Sequence, residues 1–360
     1  VYVYFVAVVC RLFYLFSVNP HIQPFSDFGY VWALANGNLS NLPYRSLFAA
    51  WMNFSALEHA FVQLFGNDYI LFLFLNVFVA GFSAVAVLVI LDKVLANDGS
   101  KFTLSISGAL LYAFYPASAV FTMNAAPDVY VVPLYLIAMY FLFFCYEKRK
   151  CRSYTSTTYA LLFGTFCGLS ASLKSFAIII IISYLIIAVI ELLKKDNLIH
   201  KDIYIFLICL SVIFCSYCAV KSITLKLTEK TFNISMDYNT ATPHYLLIGL
   251  NTDGEGQIHV GSLSRSFYRF ILEGGMSIDE ASQKTKELLR EDWNNNPEKI
   301  APLFVKKSIW AWQDDVIPAV YYIKYNADKS NALGVDYLKT ILPSVAQIFY
   351  LFIIFTALIG

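Results

Sequence analysis

The chain has 360 residues, of which 58% are hydrophobic and only 14% charged, with a formal net charge of +1. Soluble domains carry about 25% charged residues, so the composition excludes a soluble globular enzyme. The near-neutral balance also leaves no basic field to hold nucleic acid. A polytopic membrane protein remains.

Apolar runs with at most one charge that can cross ~30 Å of hydrocarbon, which takes about 20 helical residues, fall at 1–16, 69–91, 102–123, 129–146, 155–173, 175–193, 203–220 and 341–360. The first opens without Met and carries Arg11, and the last stops in mid-run, so the chain is expected to be truncated at both ends. The expected fold class is an all-α polytopic membrane protein: seven transmembrane helices within 1–220, an outer soluble segment over 221–340, and an eighth helix over 341–360. Lys and Arg mark the cytoplasmic side of short connections. Nine of them follow the second, fourth and sixth runs, whereas the connections after the third and fifth hold only Lys174. The loops 18–68 and 121–128 and the segment 221–340 are therefore expected outside. Six of the seven Cys lie in the membrane runs and Cys151 in a cytoplasmic loop, so no disulfide framework or Cys metal site is expected outside. Cys209, Cys215 and Cys218 read as small apolar packing.

The first outer loop opens with PFSDFGYVWALANGN. Ser26 or Asp27 can cap a helix whose apolar residues Phe28, Val31, Trp32 and Ala35 share one face, with Gly37 closing it. Such a helix would lie in the membrane interface. Phe54, Leu57, Phe61, Leu64 and Phe65 extend a membrane-hugging pattern up to the second run. Asp27 is thus expected at the edge of the bilayer. The second outer loop carries one charge, Asp128, after Pro127, a pair that suits a helix start with the acid near the positive end of its dipole. Taken alone, each acid reads equally well as a helix cap or as a functional group. Two acids at the interface in successive outer loops point to a joint role.

The long outer segment holds 14 Lys and Arg against 15 Asp and Glu, a soluble cap rather than a basic arm. Ser277 and Glu280 form a capping-box pattern before one helix, and Pro297 starts another. NTDGEGQ lacks EF-hand spacing and reads as a plain loop. Asn38, Asn53 and Asn233 stand in N-x-Ser sequons.

In these features the chain resembles the GT-C class of integral-membrane glycosyltransferases, which includes protein O-mannosyltransferases and aminoarabinose transferases. Its members carry an acid in the first outer loop, matched by Asp27, and often another near a Pro in the second, matched by PDVYVVPL. Many have two acids in the first loop, whereas Ser26 precedes Asp27 here. CGLSASLKSFAIIIIIS looks like a Gly-Leu, basic-small, apolar stretch of bacterial members, with Lys174 and Ser175 where Arg-Pro is common. ATPHYLLIGLNTDGEGQ and FVKKSIWAWQDD look like stretches of uncharacterised Gram-positive members and nominate His244 and Asn251 for acceptor or sugar contact.

The resemblance implies a GT-C-like helix bundle with interfacial helices in the first outer loop. It implies a polyprenyl-phosphate sugar as donor and a glycan, lipid or protein acceptor, in a bacterial plasma membrane with the site facing outside. No cofactor is implied beyond that donor among membrane lipids, and a divalent metal is not indicated. Glycosyl transfer needs a carboxylate base for the acceptor hydroxyl; Asp27 is expected in that role with Asp128 in support. The departing phosphate needs a fixed cation, for which Arg45, Lys174, Lys306 and Lys307 are candidates. The competing reading is a transporter or flippase of lipid-linked or polar solutes. Such proteins place ionisable groups inside the membrane and often show internal repeats, whereas here the acids sit at the interface and no repeat is visible.

Overall fold

The computed structural model describes residues 1–18, 24, 26–40, 42–95, 99–150, 154–193, 200–236, 242–252, 266–313 and 335–359. Every element among them is helical. In chain order they are α1 (Tyr2–Val18), α2 (Ser26–Ala35), α3 (Leu42–Arg45), α4 (Ala49–Phe65), α5 (Tyr69–Val94), α6 (Lys101–Ala113), α7 (Pro116–Phe121), α8 (Asp128–Lys150), α9 (Thr155–Leu173), α10 (Ile178–Leu193, after a 3-10 turn at Ser175–Ala177), α11 (His200–Phe232), α12 (Thr242–Leu250), α13 (Ser266–Leu272), α14 (Ile278–Asn295), α15 (Pro297–Gln313) and α16 (Val335–Ile359).

Three of these, over Tyr69–Val94, Asp128–Arg149 and Ile203–Phe232, are long and apolar enough to cross a bilayer, and Tyr2–Phe16, Ser175–Ile190 and Ile341–Thr356 are shorter apolar helices. The surface agrees with a lipid solvent. On α10, Ile179, Ile182, Ile186 and Ile187 are each about half exposed, an apolar stripe that water would not tolerate.

The third apolar run is not one continuous helix. Pro116 has no N–H to continue α6 and instead takes the first position of α7. The break leaves the last carbonyls of α6 without helical partners. Arg11, fully buried on α1, donates to one of them, Ala113 O, at 3.2 Å. The seventh run also differs, because α11 continues past its charged residues to Phe232. At 1.5 Å per residue that helix is about 50 Å long, well beyond the hydrocarbon thickness.

Two apolar cores hold the bundle together. One gathers α1, α2, α4, α5 and the start of α8 around Trp32, Phe54, Phe72 and Met123. The other joins α8, α9, α10 and α11 around Phe163, Tyr184 and Ile213, with Cys145, Cys167 and Cys209 fully buried as small packing groups. Helix α9 lies between α8 and α11. Gly164 and Gly168, one turn apart on α9, let it approach α11 closely: a Cβ on Gly164 would stand 2.5 Å from Ile213 O. This is the small-xxx-small packing of membrane helices, present in the sequence as GTFCG.

Of the three helices in the 18–68 loop, α2 and α4 form as their patterns predict, but their apolar faces differ in what covers them. Phe28, Val31, Trp32 and Ala35 of α2 are buried within the protein, with Trp32 against Tyr69 and Phe72 at 5.1 and 5.4 Å between ring centroids. Protein, not lipid, therefore takes this face. On α4, Phe54 and Phe61 turn inward onto Phe72, while Leu64 and Phe65 are exposed.

Candidate active site

Helices α8 and α9 form an antiparallel hairpin, so the start of the first and the end of the second meet. Asp128 opens α8 and Lys174 follows α9, and the two form an ion pair with Nζ donating to Oδ1 at 2.5 Å. Both are about one-third exposed. The pair stands in the wall of a 330 Å³ cavity whose other sides are Phe48 and Trp51 at the start of α4, Phe176 after α9, and Tyr245 from α12. Lys174 Nζ also lies 5.2 Å from the Phe176 ring centroid. One acid, one cation and four aromatic rings drawn from separate parts of the chain thus converge. The volume lies at the lower end of the ~300–1,000 Å³ usual for small-molecule sites.

Asp27 is not among the lining residues. Arg45, itself buried, donates from Nη2 to Asp27 Oδ1 at 3.0 Å, while the acid remains 59% exposed. The guanidinium also sits 5.0 Å from the Tyr30 ring centroid. Phe28, the residue after Asp27, packs on Trp51 of the cavity wall at 5.8 Å, so this second ion pair flanks the cavity through an aromatic contact. The two acids lie in separate ion pairs.

The remaining expected site residues take other places. Lys307 donates to Gly249 O at 2.7 Å, near the carbonyl end of α12 where a cation is favoured, and Lys306 is exposed on α15. Asn251 is buried and turns back onto Leu247 O and Ile248 O at 3.1 and 2.8 Å. Next to it, Thr252 and Trp293 tie the end of α12 to α14, through Asp292 and Leu250 O respectively. The rest of NTDGEGQ lies outside the described residues. The capping box of Ser277 and Glu280 is present on α14. Asn53 of the second sequon is buried, donating to Ser172 O and accepting from Thr228.

His244 stands directly behind the cavity wall. It is buried among Phe48, Tyr245, Phe267 and Tyr268, with ring centroids 5.6–6.4 Å away, and its Nδ1 has no hydrogen-bond partner. Burial lowers its pKa and holds it neutral. The unfolded chain takes up a proton near pH ~6.5 where the folded one does not, so this group's contribution to stability falls as pH drops through that value. The melting temperature of the purified protein is expected to decline from pH 8 to pH 5, and His244→Phe to flatten that slope. An unchanged slope in the variant would assign the pH dependence to other groups.

One ionisable residue escaped the hydropathy reading. Glu58 on α4 is fully buried and neither carboxyl oxygen has a partner. Burial pushes its pKa well above the usual carboxylate range. Phe54 and Phe61, one turn to either side, both pack on Phe72, so Glu58 faces α5. There Tyr130 donates to Asn76, and Asn76 to Asn124 O, each at 2.8 Å. The available signal was a lone acid on an otherwise aromatic helical stripe.

The protein family described as conserved hypothetical integral membrane protein matches residues 1–259. No curated protein and no solved structure matches the chain.

Proposed function

The chain belongs to that family of integral membrane proteins, and on this premise we propose that it is a glycosyltransferase of GT-C type using a polyprenyl-phosphate sugar at the outer face of a bacterial plasma membrane. The observation that carries the reading is the Asp128–Lys174 pair inside an aromatic-walled cavity. In the transfer, the acceptor oxygen bonds to the sugar C1 while the bond from C1 to the phosphate oxygen breaks. The electron pair leaves with the polyprenyl phosphate, and the acceptor proton passes to a carboxylate. Lys174 is placed to meet the charge that develops on the phosphate. Phe48, Trp51, Phe176 and Tyr245 offer apolar faces to a sugar ring.

In this reading the base is Asp128, which lines the cavity, with Asp27 as its flank, the reverse of the order expected from the loops alone. In the resting protein Lys174 occupies Asp128. An arriving phosphate competes for the ammonium, and the carboxylate it releases is free to take the acceptor proton when a substrate is present. A groove of 590 Å³, lined mainly by apolar residues such as Leu57, Phe82, Leu134 and Leu227, shares Leu173 with the cavity and offers a bed for the lipid chain.

Buried Glu58 and Arg11 favour a second reading, since ionisable groups inside a helical membrane protein also mark transport paths. The deciding experiment is transfer of labelled sugar from a synthetic polyprenyl phosphate by the purified protein. Transfer is expected. Movement of the lipid across a vesicle without transfer would establish the transporter instead. The orientation has its own check, because a cysteine placed at Ser40 is expected to react with a membrane-impermeant thiol reagent in intact cells. Protection of that position would put the cavity on the cytoplasmic side.

A further inference from the structure

A second cavity, of 250 Å³, lies among α5, α6, α7 and α8, and Asp128 is the one described residue common to its wall and that of the first. Its lining is largely apolar, set with the hydroxyl-bearing residues Ser83, Tyr112, Tyr115, Ser118 and Thr122. Asp128 is the only ionisable carboxylate among the lining residues, and no cation lines it directly. Arg11 stands behind the lining residues Ser118 and Tyr112, 3.0 Å from the Ser118 hydroxyl and 5.9 Å from the Tyr112 ring centroid.

Arg11 is fully buried in α1, and no carboxylate pairs with it among the described residues. Its guanidinium donates to Ala7 O at 3.1 Å, to Ala113 O at 3.2 Å and to Ser118 Oγ at 3.0 Å, and its Nε has no partner. An uncompensated cation inside a membrane protein is expensive and faces an interior path or a ligand when it is retained. The hydrogen-bond directions extend its influence. A guanidinium only donates, so Ser118 must receive its bond as an acceptor and send its own proton onward. Tyr112 Oη lies 3.4 Å from Ser118 Oγ and accepts there. The Tyr112 proton is then left to point elsewhere, and its side chain lines the cavity. A positive charge in the second layer thus becomes a hydroxyl donor at the surface of the cavity, which suits a ligand oxygen rich in electrons.

Size and polarity narrow the ligand further. The volume falls below the ~300 Å³ at which small-molecule sites usually begin, so it takes a head group and not a lipid chain. The wall offers one free hydroxyl donor, on Tyr112, and one carboxylate, on Asp128, which accepts from a hydroxyl. We propose that this cavity binds a phosphorylated polyol head group such as glycerol phosphate, with the phosphate toward the Tyr112 hydroxyl and a hydroxyl toward Asp128. Resting on the transferase reading, it is the acceptor's subsite: the donor phosphate sits with Lys174 in the first cavity, and the acceptor hydroxyl reaches the shared base from the second.

The test is a binding titration of the full chain in detergent with two probes, short-chain phosphatidylglycerol and free glycerol phosphate, and phosphatidylcholine as the head group without hydroxyls. Phosphatidylglycerol is expected to bind, and Tyr112→Phe, which keeps the ring beside Arg11, to weaken it about tenfold, as does losing one hydrogen bond to a charged group. Ser118→Ala is expected to act in the same direction. Free glycerol phosphate binding as tightly as the lipid would make the ligand soluble while keeping the same site. Equal binding by the wild type and both variants, no binding of either probe, or equal binding of phosphatidylcholine would overturn the site. Competition by polyprenyl phosphate would overturn its assignment to the acceptor. Tyr112-dependent binding in a protein that transfers no sugar would sink the transferase reading alone.

Discussion

Asp128→Asn is expected to lower sugar transfer about 100- to 10,000-fold, the usual worth of a general base, without loss of the folded protein. Asp128 begins α8, where Asn also serves as a good start residue, so the substitution keeps the local helix and removes the proposed proton acceptor. It also removes the anionic partner of Lys174, which frees the ammonium for the donor phosphate. Donor affinity should therefore hold or improve while turnover collapses, a split that a folding defect does not produce. Lys174→Gln should lower both donor affinity and turnover, and Arg should restore part of the loss because it keeps the charge with different donor geometry. Asp27→Asn should cost less, since that acid stands outside the cavity wall in its pair with Arg45. The measurement is transfer from a synthetic polyprenyl phosphate by purified variants matched for melting temperature. Near-normal turnover in Asp128→Asn would reduce this acid to a helix start.

The features legible in the sequence were those set by local chemistry. Pro127 and Asp128 predicted the start of α8, and Ser277 with Glu280 predicted the start of α14, because a cap is decided by residues within one turn. Hydropathy located the apolar helices but misjudged two ends for one reason: it counts charge and apolar content, not backbone continuity. Lys221 ended the uncharged run, yet nothing in the following residues breaks a helix, and α11 continues until it brings Thr228 to Asn53. Conversely the run 102–123 carries no charge, yet Pro116 divides it. Both acids were visible as candidates, and their partners were not. Lys174 stands 46 residues from Asp128, and only the antiparallel return of α9 along α8 places them together. A short connection of basic residues implies such a return, so the pairing could have been drawn from the hairpin. The covering of α2 by protein was out of reach, because an amphipathic stripe records that a face is buried and not what buries it. Glu58 was hidden by the apolar residues around it, which is also the physical reason its pKa is raised.

Gly164→Leu is expected to destabilise the protein by at least the ~1–3 kcal/mol of ordinary overpacking, and to lower transfer with it. The smallest addition at this position, a single Cβ, would stand 2.0 Å from Ser216 Oγ and 2.5 Å from Ile213 O. A hydroxyl can rotate away, but the carbonyl belongs to the backbone of α11 and can yield only if the two helices part. One turn on, a Cβ at Gly168 would meet Tyr217 O at 2.9 Å, so the contact is set by main chain along its length. Separation would reach the site from both sides, since α9 carries Lys174 at its end and α11 holds Asn53 of α4 through Thr228. Gly164→Ala should show a smaller loss of the same kind. Adding Ser216→Ala separates the two obstacles, because it removes the hydroxyl and leaves Ile213 O in place. The melting temperature of the double variant is expected to remain low; recovery to the wild-type value would mean that the side chain, and not the close approach of the helices, had made glycine necessary there.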